Sequence, residues 1–123
     1  MGNLLKWFVR RAVETVESWD GSASNYADAA AYCKACLIDV NPSGSEKKTS
    51  LCKLPVKRPG SSAYADRGIM AAASGRGLGA VTKPAGVDQA TWDAAKKKAA
   101  KTIVSVYKDM DREPPKAMMD MVS

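Results

Sequence analysis

Histidine is missing from this chain altogether. Without it there is no Ser-His or Cys-His nucleophile pair and no imidazole ligand for zinc. Any catalysis would have to use carboxylates, lysines or thiols. Aromatics are few, with three Trp, four Tyr and one Phe, so the core is expected to be built on small-residue helix packing. The cysteine count is three, an odd number that argues against a secreted disulfide framework. No apolar run approaches the roughly 20 residues of a membrane span. The opening "MGNLLKWFVRR" places its basic residues after the apolar ones, with no small-residue cleavage site following, so it is not expected to be a signal peptide. Gly2 invites myristoylation, but Lys6 stands where Ser or Thr is wanted. A reducing cytoplasm is the expected place of synthesis.

What remains is a 123-residue chain with 46% hydrophobic and 26% charged residues, the balance of one ordinary folded domain. Its net charge of +6 suits an acidic partner: nucleic acid, an acidic protein surface or anionic lipid.

At ~100° per residue, Leu4, Leu5, Phe8, Val9, Ala12, Val13 and Val16 fall within one half-turn. Lys6, Arg10, Glu14 and Glu17 face the other way, and Trp7 stands towards the polar flank. The pattern predicts an amphipathic helix over 4–17 that either packs on its own domain or docks on a partner. In the docking reading residues 1–18 form an arm, with Leu4, Leu5, Trp7, Phe8, Val13 and Val16 as the anchor.

"WDGSAS", residues 19–24, reads as a joint. Asp20-Gly21 supplies a turn, Ser22 or Ser24 caps a helix over about 25–34, and Trp19 folds back over that helix as a hydrophobic staple. "CLIDV" and "SLCKLPV" flank a turn-rich connector and predict an antiparallel hairpin, with Pro55 at an edge. "AYADRGIMAAASG" predicts a third helix ending at Gly75, and "GRGLGAVTKPAG" a flexible loop. Asp88 then caps a long helix to about Asp111, stopped by "EPP". On it Trp92, Ala95, Ala99, Ile103, Val106 and Met110 share one face. Lys97, Lys98, Lys101, Ser105, Lys108 and Arg112 share the opposite one. The Met-rich tail, residues 116–123, reads either as a frayed end or as a docking segment. The expected fold is a small, helix-rich α+β domain with a two-stranded antiparallel hairpin and a long C-terminal helix, its compact module spanning 19–115.

Chemistry-bearing patterns are weak. Cys33-Lys34-Ala35-Cys36 is a CxxC, and with Cys52 and Asp39 it offers candidate zinc ligands. A second CxxC is missing, and the helix-to-strand order is the reverse of a redox CxxC. Buried free thiols are therefore expected, with no metal and no cofactor. Gly75-Arg76-Gly77-Leu78-Gly79 follows a helix instead of a strand and lacks the GK[ST] ending of a phosphate loop. Asp109, Asp111 and Glu113 alternate at a helix end with nothing to place them in a pocket. The strongest polar feature is the lysine face of the long helix, joined by a second basic zone of Lys47, Lys48, Lys53, Lys57 and Arg58. It suits phosphate contact but carries no aromatic stacking platform.

Taken in order, "SWDGSAS", "CLIDVN", "KLPVK", "RGIMAAASG" and "VYKDMDREPP" resemble a small module encoded among the head genes of tailed bacteriophages. That module stands alone or is attached to prohead-protease or head-morphogenesis proteins. The resemblance covers residues 18–115, with Trp19, Asp20, Gly21 and Ser22 matching its first motif and Lys53, Leu54 and Pro55 another. Neither set has a catalytic role there, and the histidine of the attached proteases is missing here. The chain departs from the pattern in residues 1–17 and at Cys33. The resemblance implies a non-enzymatic phage structural or head-assembly protein, present in many copies in the virion and bound to capsid or other virion proteins. A DNA-binding module contacting packaged DNA and a small inhibitor of a host enzyme are the competing classes.

Overall fold

The computed structural model describes residues 12–123. Its longest element, the helix α3 (Gln89–Asp109), begins where the sequence places it. The Asp88 carboxylate accepts from the Thr91 amide at 2.6 Å, satisfying one of the donors orphaned at a helix start. Its end is built differently from the expectation. Asp111 adopts a left-handed φ of 57°, Arg112 N–H reaches the Tyr107 carbonyl at 2.9 Å, and Asp111 N–H reaches that of Lys108 at 3.0 Å. This is a Schellman closure with Asp in the usual glycine position, so α3 is capped before Pro114 is reached.

The α+β architecture is as expected. β2 (Cys36–Asp39) and β3 (Cys52–Pro55) form the antiparallel hairpin, with Ile38 opposite Lys53 and Cys36 opposite Pro55. Pro55 closes β3, and the hydrogen-bonding role passes to Val56. Its N–H donates to Ala35 and its carbonyl accepts from Ala65, each at 2.8 Å. Val56, 1% exposed, thereby ties the hairpin to β4 (Tyr64–Ala65), which leads directly into α2 (Asp66–Ala73). Leu54 within "KLP" holds a φ of 63°, costly for a side chain bearing a Cβ.

Four segments differ from the sequence expectation. The predicted helix 4–17 does not reach the described part of the chain: Val13–Glu14 is a strand, β1, paired in parallel with β4. The Val16 N–H donates to the Asp66 carboxylate at 3.0 Å, and the Arg67 guanidinium donates to the Val16 carbonyl at 2.7 Å. Val13, Thr15 and Val16 are β-branched, and partners about 50 residues away use the extended backbone these residues favour. The helix α1 (Ala29–Lys34) starts later than predicted, because Asp28, not Ser22 or Ser24, caps it by accepting from Ala31 N–H at 2.8 Å. Residues 75–80 are not a free loop: Leu78 is 0% exposed, and its N–H donates to the Ala72 carbonyl. The tail is a helix, α4 (Lys116–Val122), that packs Met118 against α3.

The core lies where α3 crosses α2 and the hairpin, around Ile38, Val56, Ile69, Leu78, Ile103 and Val106. Among the described residues no helix is long and apolar enough to cross a membrane.

Candidate functional site

The anchor face divides in the structure. Leu4, Leu5, Trp7 and Phe8 lie outside the described residues. Val13 and Val16 do not continue a helical face: both are half-buried on extended chain, and Val13 packs against the core. An anchor of one helix face spanning 4–16 is therefore corrected.

Three of the pieces that carry the phage-module resemblance, "SWDGSAS", "KLPVK" and "RGIMAAASG", meet in one place. The Trp19 indole lies against Gly68 of α2, and α1 begins only at Ala29 behind its Asp28 cap, so Trp19 does not precede the cap as the predicted staple requires. A Cβ at Gly68 would stand 3.0 Å from the indole and 3.1 Å from Val56 Cα. Gly21 has a φ of 72°, and a Cβ there would stand 3.0 Å from Trp19 Nε1 and 3.1 Å from Pro55. The Asp20 carboxylate accepts from the Ser22 hydroxyl and, at 3.2 Å, from the Asn25 amide. These two bonds hold its pKa below the usual carboxylate range. "WDGS", "KLP" and the glycine of "RGIM" thus interlock by close approach. Their chemistry is turn formation and packing.

The cysteines pair across the fold instead of within the CxxC. Cys33, on α1, and Cys52, opening β3, form a disulfide with Cα atoms 5.3 Å apart. The expectation of three free thiols is corrected. Both partners are nearly inaccessible, at 3% and 1% exposure. The Asn41 side-chain amide donates to Cys52 Sγ at 3.2 Å and to the Asp39 carboxylate at 2.8 Å, while Lys47 pairs with Asp39 at 2.5 Å. Three of the four candidate ligands, Cys33, Asp39 and Cys52, have their ligand atoms within 4.8 Å of one another. In this oxidised arrangement the two sulfurs are bonded to each other and the carboxylate already has a cation. Cys36 is the free thiol. Burial pushes its pKa up to about 12, against the opposing hydrogen bond from Tyr32.

Of the acidic trio, Asp109 lines a shallow cleft with Asp66, Met110, Arg112, Val13 and Thr15. Asp111 forms the helix cap and Glu113 is exposed. The glycine loop is no phosphate cradle, since Leu78 at its centre is a core residue.

The lysine face is largely as read. Lys97, Lys98, Lys101 and Lys108 are all exposed, while Trp92, Ala99, Ile103 and Val106 on the opposite side are buried. Arg112 leaves the stripe because it follows the left-handed Asp111, and its guanidinium lies 3.1 Å from Met70 Sδ. Ion pairs among the described residues join Lys47 to Asp39, Arg58 to Glu14 and Lys116 to Asp120, and none involves the four lysines. The stripe spans about 16 Å along the axis at ~1.5 Å per residue.

Compared with known proteins, the chain matches no family model, no curated sequence and no solved structure. None of these comparisons bears on the resemblance to a phage head module.

Proposed function

We propose that this chain is a non-enzymatic assembly module of a tailed-phage head, made in the host cytoplasm, that binds an acidic surface of another virion component through α3. The observation that carries this reading is the stripe of Lys97, Lys98, Lys101 and Lys108. It is exposed and without a carboxylate partner among the described residues, on a helix whose other side is locked into the core. Rigid presentation lowers the ordering cost of binding, and like charges on one face select an acidic partner. The motif residues support the same reading, because Trp19, Gly21, Pro55 and Gly68 approach one another closely as packing partners.

Lys97→Glu combined with Lys101→Glu tests this directly. The double variant should keep its helical spectrum and melting temperature, since both side chains are exposed, yet lose incorporation into particles assembled with the head proteins. Unchanged incorporation refutes the proposal.

Packaged DNA is the second reading, favoured by the same uninterrupted run of cations. Four phosphate contacts would make the logarithm of duplex affinity fall against log salt with a slope of roughly −3 to −4. A measured slope of that size, abolished by the double variant, assigns the stripe to DNA. A flat or absent response leaves the protein partner.

A further inference from the structure

Away from α3, a cleft of about 310 Å³ opens between α1 and the segment 57–62. Its lining joins Lys34, Lys57 and Arg58 with Ser61 and Ser62, over a wall made by Tyr26, Ala31 and Ala35. No carboxylate belongs to the lining. We propose that this cleft binds a phosphomonoester, the phosphate held by Lys34, Lys57 and the Ser62 hydroxyl, and its organic group laid on the Tyr26–Ala31–Ala35 wall. The assignment is independent of the partner proposed for the lysine stripe, because the two surfaces share no residue.

The cleft is held in shape before any ligand arrives. Arg58-Pro59-Gly60-Ser61 has the type II pattern, with Pro second, Gly60 third at a φ of 78°, and Ser61 N–H on the Arg58 carbonyl at 3.0 Å. The Tyr26 hydroxyl, on the far wall, donates to the Lys57 carbonyl at 2.5 Å and fixes that wall to the turn. The Ser61 hydroxyl is engaged on both sides, donating to the Glu14 carboxylate at 2.9 Å and accepting from the Ala63 amide at 3.1 Å, and so braces the turn. The end of α1 presents no free oxygen at Ala35, whose carbonyl is occupied by Val56 N–H.

Charge then selects the ligand. Glu14, outside the lining, pairs with Arg58 and neutralises it, and its other carboxylate oxygen takes the Ser61 hydroxyl, so neither group is left for the ligand. Lys34 and Lys57 have no carboxylate partner among the described residues, and Lys57 Nζ sits 4.8 Å from the centre of the Tyr64 ring, which steadies it. The surplus is two positive charges, the complement of a phosphate dianion. Phosphate also brings several acceptor oxygens for ammonium and hydroxyl donors. The volume sits at the lower end of the ~300–1,000 Å³ of small-ligand pockets, so it leaves room for an organic group beside the phosphate.

The test is a titration of the isotope-labelled full chain with phenyl phosphate and with inorganic phosphate, followed by amide chemical shifts. Saturable shifts confined to Tyr26, Lys34 and 57–62 are expected, with phenyl phosphate binding tighter. Lys34→Glu, at an exposed position, should weaken both probes at least tenfold, and Lys34→Ala roughly tenfold, the equivalent of one charge-assisted contact. Lys97→Glu with Lys101→Glu should leave both unchanged. The assignment is overturned by an absence of saturable shifts at about 10 mM ligand, weaker than a specific site. It is overturned equally by shifts that map to α3, by equal affinity for the two probes, or by Lys34→Glu binding as the parent does.

Discussion

Gly77 and Gly75 stand two residues apart in the stretch that local pattern assigns to a flexible loop, and the structure gives them opposite tolerances. A Cβ at Gly77 would stand 2.3 Å from the Ala72 carbonyl oxygen and 2.4 Å from that of Ala71. At Gly75 it would meet nothing within 4 Å. Neither glycine has a positive φ, so the contrast is one of space and not of backbone freedom. The obstructing atoms are the last carbonyls of α2, and one of them also accepts from Leu78 N–H at 2.8 Å. To relieve the clash, Gly77→Ala must lift the 77–78 backbone and withdraw Leu78, 0% exposed, from the core. Withdrawing a fully buried leucine costs about 3 kcal/mol. For a domain of this length that lowers the melting temperature by about 10 °C. Gly75→Ala, made in parallel, should stay within about 0.5 kcal/mol of the parent. Urea unfolding followed by far-ultraviolet circular dichroism reads both. Equal stabilities for the two variants, or a Gly77→Ala protein as stable as the parent, would refute the docking of this segment.

Two further outcomes follow from the cysteines. The unreduced, denatured protein should titrate one thiol and the reduced protein three. Replacing Cys33 and Cys52 together by Ser should cost about 3 kcal/mol, the loop-closure value for a 19-residue separation; finding three thiols without reduction would contradict the pairing. Cys36 should resist iodoacetamide at pH 8, with roughly a thousandfold less thiolate than an ordinary cysteine. Because burial raises its pKa from 9.0 to about 12, its contribution to stability is whole below pH 9 and declines as pH climbs from 9 towards 12. Cys36→Ser should flatten that decline, and an unchanged alkaline limb would show that Cys36 is not its source.

The parts of the fold that could be read in advance are those whose causes are local. Asp88 is three residues from the amide it caps, and the apolar side of α3 repeats within its own length. The hairpin announces itself through a turn-rich connector. The errors share a different origin. Val13, Thr15 and Val16 fit a helical wheel as well as they fit a strand, and the deciding partners, Tyr64 and Asp66, lie some 50 residues on. The Cys33–Cys52 bond, the burial of Leu78 and the seating of Met118 are likewise long-range. A CxxC drew attention to the wrong pair because spacing in sequence says nothing about which thiols face each other. The lysine stripe was legible because a helix wheel suffices for it. The cleft was not, since Lys34 comes from α1 while Lys57 and Arg58 come from a turn beyond the hairpin.

The same distinction applies to the short motifs that the resemblance rests on, each faint by itself. Trp19 needs a residue without a side chain at position 68, and Trp19 and Pro55 together need one at position 21. Val56, directly after "KLP", joins the hairpin to β4 and so brings α2 beneath the indole. Each short motif is therefore one half of a contact whose other half lies in another motif, and only their order along the chain allows all of the contacts to close. A fold fastened in this way, with β1 tied to β4 and the hairpin tied to α1 by a disulfide, has its internal contacts already satisfied. Among the described residues the exposed lysines of α3 and the cationic cleft are two cationic surfaces, and they lie on separate elements. Binding at one does not require the other to be vacant, so the phosphomonoester and the acidic surface should bind additively, within the ~0.5 kcal/mol expected of independent sites. Competition between them would place both on one surface and would contradict their separation.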